Sequence, residues 1–217
     1  MCPQKKILVT RPRHDPIVEY LFYWTKDIIK FAKDHDFRVL DCKAEGANKD
    51  TVSNYLDKQN PKFVVFNGHG TDEIIKGHQN KALIESGDNE NLLNKKIVYA
   101  VACRSAAKLG EDICNNGAEA FIGYSEEFGF ISDETREGTP NKDKFDKPFK
   151  KASNSIAFAI LKGNTVGEAF KKSQKTYNDL IKEYSTSTIN KEHKEIRFWL
   201  FWDKKFQKMI GNQNATI

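Results

Sequence analysis

Short apolar runs alternate with amphipathic segments along most of this chain. Residues 5–10, 37–42, 63–66, 97–102 and 118–123 read as strands. In the third and fourth, Val, Ile, Phe and Tyr stand side by side instead of alternating with polar residues, as expected for strands buried on both faces. Residues 17–34 place Leu21, Trp24, Ile28, Phe31 and Ala32 at helical spacing, and residues 50–59 put Val52, Tyr55 and Leu56 on one face. Asn60-Pro61 stops that second helix. Further helices are predicted over 104–115, closed by Asn116-Gly117 as a left-handed cap, and over 149–162 and 165–184, the last opened by Thr165 with Glu168 three residues on. The aromatic run 196–202 reads as a final edge strand.

Two polar stretches interrupt this rhythm. Residues 71–94 read as a long loop with one helical turn near 81–86, and residues 124–148 as a second loop too long for a passive connection. Alternation of strand and helix without an internal repeat predicts an α/β fold, a doubly wound and mostly parallel central sheet flanked by helices. At 217 residues, one domain over 1–217 is expected, with the long loop at about 124–148.

Composition narrows the function classes. The chain is 39% hydrophobic and 30% charged, as a globular protein is. Its net charge of +5 comes from Lys and Arg interleaved with Asp and Glu. No basic block or aromatic-plus-Arg stacking motif stands out, so no nucleic-acid partner is expected. No membrane span or secretory apolar region is visible, and no membrane partner is expected. Cys2, Cys42, Cys103 and Cys114 lack metal-type spacing. A reducing cytoplasm, where a thiol stays free, is the expected location.

The two buried strands each stop at residues able to do chemistry. Lys62–Gly70 reads KFVVFNGHG and Lys96–Ser105 reads KIVYAVACRS. His69 and Cys103 are thus about one strand–crossover–strand unit apart. If those strands are neighbours, their ends lie about 5 Å apart at the carboxyl edge of the sheet, where such folds bind ligands. An imidazole beside a thiol lowers its pKa and activates it as a nucleophile. A helix starting near Arg104 would add its positive end beneath the sulfur. The amides of Gly70 and Cys103 could complete an oxyanion hole.

These residues carry a family resemblance. Apolar strand, His-Gly, a second apolar strand and Ala-Cys together resemble the caspase–hemoglobinase fold of cysteine peptidases, clan CD. Val101-Ala102-Cys103-Arg104-Ser105 is similar to the caspase pattern around its nucleophile, although Ser105 replaces a glycine and the His-to-Cys interval is shorter. Those departures point to the CHAT and gingipain-like branch. Gly117-Ala118 leading into Phe121-Ile122-Gly123-Tyr124, the segment GNTVGEAF at 163–170, and Phe198-Trp199-Leu200-Phe201 also have counterparts there.

The resemblance implies a cysteine endopeptidase acting on protein or peptide substrates through an acyl-enzyme. Cys103 would be the nucleophile and His69 the proton donor to the leaving amine, with Gly70 and Cys103 as oxyanion donors. Asn67 and Asp72 are candidates to orient the imidazole. No cofactor and no metal are expected. The loop after the first strand offers Arg11, Arg13 and Asp15 for specificity, with Arg13 and Asp15 as candidate substrate-binding residues. The acidic stretch 126–137 is a specificity, processing or solvated loop.

Three alternatives stay open. The chain could be a catalytically silent caspase-like scaffold or a pseudo-peptidase activated by a protein partner. It could be a flavodoxin-like module using the glycine turn at 67–71. It could also be a metal hydrolase built on His69, Asp72, His78 and Cys103, although their spacing matches no common zinc pattern.

Overall fold

The apolar runs become strands lying beside one another because each can be covered on both faces by its neighbouring helices. A computed structural model describes residues 4–133, 139–186 and 191–217. Its strands are β1 (Lys6–Arg11), β2 (Arg38–Lys43), β3 (Phe63–Asn67), β4 (Ile74–Lys76), β5 (Ala82–Glu85), β6 (Ile97–Val101), β7 (Ala120–Tyr124) and β8 (Gln207–Gly211). Its helices are α1 (Pro16–Asp34), α2 (Lys49–Gln59), α3 (Leu109–Asn115), α4 (Lys147–Leu161), α5 (Val166–Thr186) and α6 (Lys191–Phe206).

The main sheet has the order β2-β1-β3-β6-β7-β8. Its first five strands are parallel, and β8 closes one edge antiparallel to β7. Alternate residues of each strand face opposite layers. Ile7, Val9, Phe63, Val65, Ile97, Tyr99, Ala120 and Ile122 share a core with residues of α1, α4, α5 and α6. Leu8, Val64, Phe66, Val98, Ala100 and Phe121 pack with α2, α3 and the β4–β5 hairpin. The result is a three-layer sandwich with a mostly parallel sheet, as the sequence predicts.

Local signals explain several boundaries. Asn48 and Asp15 cap α2 and α1 by accepting from Thr51 N and Val18 N. Thr165 and Glu168 exchange the two reciprocal bonds of a capping box at the start of α5. Asn60 ends α2 in the left-handed conformation, and Gly117, at φ +96°, turns the chain after α3.

Four expectations need correction. The aromatic run 196–202 is not a strand but part of α6. Its buried residues Ile196, Leu200 and Asp203 recur at helical spacing, while Phe198 and Phe201 are 53% and 54% exposed. Aromatic β-propensity loses here to tertiary packing, and β8 takes the edge position. Residues 81–86 hold strand β5, paired antiparallel with β4, instead of a helical turn. The polar stretch 71–94 is therefore largely hairpin. Lastly, α3 starts at Leu109, well after Arg104.

The segment following β7 is anchored, not solvated, over residues 125–133. Phe128, Phe130 and Ile131 pack on the core. Gly129 N donates to Asp203 Oδ1 at 2.9 Å, and Trp202 Nε1 donates to the Glu127 carbonyl at 2.9 Å. Residues 134–138 of the expected long loop lie outside the described residues. Beyond them, Asp143 accepts from the Tyr20 hydroxyl and Asp146 from the Trp24 indole, which ties the start of α4 to α1.

Gly129 makes the anchor close. A Cβ there would stand 2.0 Å from Cε3 of Trp199, a rigid ring atom. Gly129→Ala is expected to destabilise the protein by about 1–3 kcal/mol through overpacking, read as a lower urea midpoint at unchanged slope. An unchanged midpoint would show that the segment gives way freely.

Candidate active site

The register of β3 on β6 runs from Phe63↔Ile97 to Asn67↔Val101. His69 and Cys103 each follow the last paired residue by two positions, so both emerge at the same rim. The backbones of Gly70 and Cys103 then touch. A Cβ on Gly70 would lie 2.4 Å from the Cys103 carbonyl oxygen and 3.1 Å from Ala102 Cβ, space that only glycine leaves open. Gly68 is similarly confined, with a notional Cβ 2.3 Å from the Lys76 carbonyl.

The hairpin pins this turn. Lys76 N donates to His69 O, and Thr71 N to Ile74 O, each at 2.9 Å. Neither Gly70 N nor Cys103 N donates to another described residue's backbone or side chain.

The imidazole's partner is Asp15. His69 Nε2 lies 2.8 Å from Asp15 Oδ2, while Oδ1 of the same carboxylate caps α1. Asp15 lies below the usual carboxylate range: burial alone would raise it, but the Val18 amide, the His69 hydrogen bond and the charges of His69 and His14 together outweigh burial. An ionised Asp15 can only accept, so with a neutral ring Nε2 of His69 carries the proton and Nδ1 bears the lone pair.

The two candidates to orient the imidazole, Asn67 and Asp72, are occupied elsewhere. Asn67 Nδ2 donates to Thr10 O at 2.9 Å, and Asp72 receives Arg104 through Nε at 2.5 Å and Nη2 at 2.9 Å. Of the charged groups considered for specificity, Arg11 is buried against Asp41 and Arg13 pairs with Glu19 at 2.7 Å. Asp15 stands at the imidazole.

Sequence reasoning passed over His14, which sits between His69 and His78. Its ring centroid is 6.1 Å from that of His69 and 5.4 Å from that of His78, edge-on to both. Its Nε2 is 3.3 Å from Asp15 Oδ2, yet both ring nitrogens are buried without a hydrogen-bond partner among the described residues. One atom each of His14, Asp15 and His69 lie within 4.8 Å of one another. The available signal was the adjacency of His14 and Asp15 in a proline-stiffened loop.

Cys103 leaves β6 into a tight turn. Arg104 takes a left-handed conformation, φ +56°, held by its fork on Asp72 and by its amide donating to Glu126 O at 3.0 Å. Ser105, where caspases have glycine, returns its buried hydroxyl to the Ala102 carbonyl at 2.9 Å. This turn delays α3, so no helix N-terminus begins directly beneath the sulfur.

The thiol's hydrogen-bond partner is the Phe128 carbonyl at 4.0 Å. Burial pushes the Cys103 thiol above its ordinary value; Glu127 and Asp203 add to that, and backbone hydrogen bonding at Phe128 and Cys103 offsets part of it. Cys103 is therefore a protonated thiol at neutral pH, and the Phe128 segment borders it.

No family model matches the sequence, and no curated protein matches it. Solved structures do match by shape. The crystal structure of the Arg specific cysteine proteinase gingipain R superposes with a TM-score of 0.64 at 9% identity, over 98% of this chain and 47% of that one. The complex of Porphyromonas gingivalis RgpB pro- and mature domains gives 0.60 at 9% identity, over 98% of this chain and 48% of that one. The chain spans about half the length of these structures. What it shares with them is the fold, the caspase-like α/β sandwich.

Proposed function

We propose that the protein is a cysteine endopeptidase in which Cys103 and His69 form the catalytic pair. The observation that carries this reading is the contact of Gly70 with the Cys103 carbonyl at register-matched strand ends, which brings imidazole and thiol to one rim. The thiol proton passes to His69 Nδ1 as sulfur attacks the peptide carbonyl. The oxyanion is received by the N–H groups of Gly70 and Cys103. The imidazolium, steadied by Asp15, returns its proton to the leaving amine, and water then hydrolyses the thioester. Substrates are proteins or peptides, with no nucleic acid and no cofactor.

Cys42, Cys103 and Cys114 are free thiols, and Cys2 lies outside the described residues. No described helix is long and apolar enough to cross a membrane. A reducing cytoplasm suits the proposed nucleophile.

A second reading has its own support. Cys103 bonds the Phe128 carbonyl and not His69, the arrangement of a resting pseudo-peptidase or of an enzyme awaiting a protein partner. The two readings separate on catalysis by the isolated chain. Hydrolysis of a peptide library is expected from the wild type and is expected to vanish in Cys103→Ala at unchanged circular dichroism. Cleavage persisting in that variant rejects Cys103 as nucleophile.

Two further outcomes follow from the geometry. Because the thiol is protonated at rest, iodoacetamide alkylation of Cys103, followed by peptide mass mapping, should be slow at pH 7 and rise about tenfold per pH unit towards the thiol's raised pKa. Fast, pH-independent labelling near pH 6 would mean that a thiolate–imidazolium pair already exists. Asp15→Asn keeps a good cap for α1 but replaces the anion beside His69. It should lower kcat about tenfold or more, with little change in thermal stability. An unchanged kcat would remove Asp15 from the mechanism.

A further inference from the structure

His14 is the group that the catalytic reading leaves without a task. Its side chain is only 11% exposed, and both its nitrogens are buried with no hydrogen-bond partner among the described residues. Buried polar atoms of this kind are normally satisfied. Asp15 Oδ2 is 3.3 Å from its Nε2 but is already engaged by His69 Nε2. Two imidazole nitrogens therefore converge on one carboxylate oxygen.

We propose that His14, Asp15 and His69 form a binding site for a zinc-type divalent transition metal, and that filling it switches the peptidase off. Imidazole nitrogen and carboxylate oxygen are the donors such ions take, at about 2.0–2.1 Å, so that tetrahedral neighbours stand roughly 3.3 Å apart. The His14–Asp15 separation of 3.3 Å already matches that edge, and the His69–Asp15 contact of 2.8 Å needs to widen by only about half an ångström. Three protein donors leave the fourth position to water. His78, edge-on behind His14 with a buried, unpartnered Nδ1, backs the ring on its far side.

The inhibitory part rests on the catalytic assignment above. In the metal-free state Nε2 of His69 holds the proton and Nδ1 offers its lone pair. When the Nε2 lone pair binds the ion, the displaced proton is carried by Nδ1. That nitrogen can then no longer accept the proton of Cys103, and the thiol stays unreactive. Asp15 is drawn to the ion in the same step.

Zinc chloride titrated calorimetrically into the metal-free full chain should show one site. His14→Ala and His14→Gln should each weaken binding by about a hundredfold or more, while Cys103→Ala should bind as the wild type does. Cobalt(II) in the same site should give ligand-field bands without a thiolate charge-transfer band. Zinc should depress wild-type peptide hydrolysis, whereas the His14 variants should run at the same rate with and without zinc.

Binding that survives both His14 replacements, or that disappears with Cys103, overturns the site. Circular dichroism of the two His14 variants guards against misfolding, and the polar Gln variant replaces Ala if Ala fails that control. Absence of hydrolysis by the metal-free chain would overturn the peptidase reading and the inhibitory part, while calorimetry would still decide the metal site.

Discussion

The site depends on a backbone contact: the turn after β3 lies directly on the Cys103 carbonyl, two residues past the end of β6. Parallel pairing of these two central strands sets the height at which each chain exits, and a slip of one residue would turn every side chain to the opposite face. Gly70 then allows an approach that any Cβ would prevent. The β4–β5 hairpin grips the turn from the other side through Lys76 and Thr71. An imidazole and a thiol from separate strand–helix units thereby share one rim.

Around this contact, electrostatics are concentrated in one carboxylate. Asp15 caps α1 and holds the His69 ring, and it stands beside His14. Partial burial would raise its pKa, but the Val18 amide, the His69 hydrogen bond and the charges of both rings lower it by more. On the other side of the site the balance is reversed. Burial raises the pKa of the Cys103 thiol, Glu127 and Asp203 add to that, and together they hold its proton in place. The thiol is therefore neutral, and its hydrogen-bond partner is the Phe128 carbonyl. Access to the sulfur involves the segment carrying Phe128.

That segment is set by the carboxyl-terminal part of the chain. α6 supplies Asp203 to the Gly129 amide, the Trp202 indole to the Glu127 carbonyl, and the Trp199 ring to the space above Gly129. β8 continues directly from it along the free edge of β7. Residues distant in sequence thus shape the surroundings of Cys103 without lying in its motif.

Much of this was legible in the chain. The buried strands at 63–66 and 97–102, the His-Gly and Ala-Cys ends, the capping box at Thr165 and the sandwich architecture follow from hydrophobic periodicity and turn chemistry, which act over a few residues. The helical state of 191–206, the β4–β5 hairpin, the late start of α3, and the meeting of Asp15 and His14 with His69 were decided by tertiary structure. In each of these the local preference is weak or even opposed. The aromatic run favours a strand until its alternate faces find the core and the Gly129 segment. Asp15 and His14 are an unremarkable loop pair until the parallel packing of β1 beside β3 brings them to an imidazole more than fifty residues away. Periodicity is written into neighbouring residues, whereas the partner of a charge is set by which strands lie side by side.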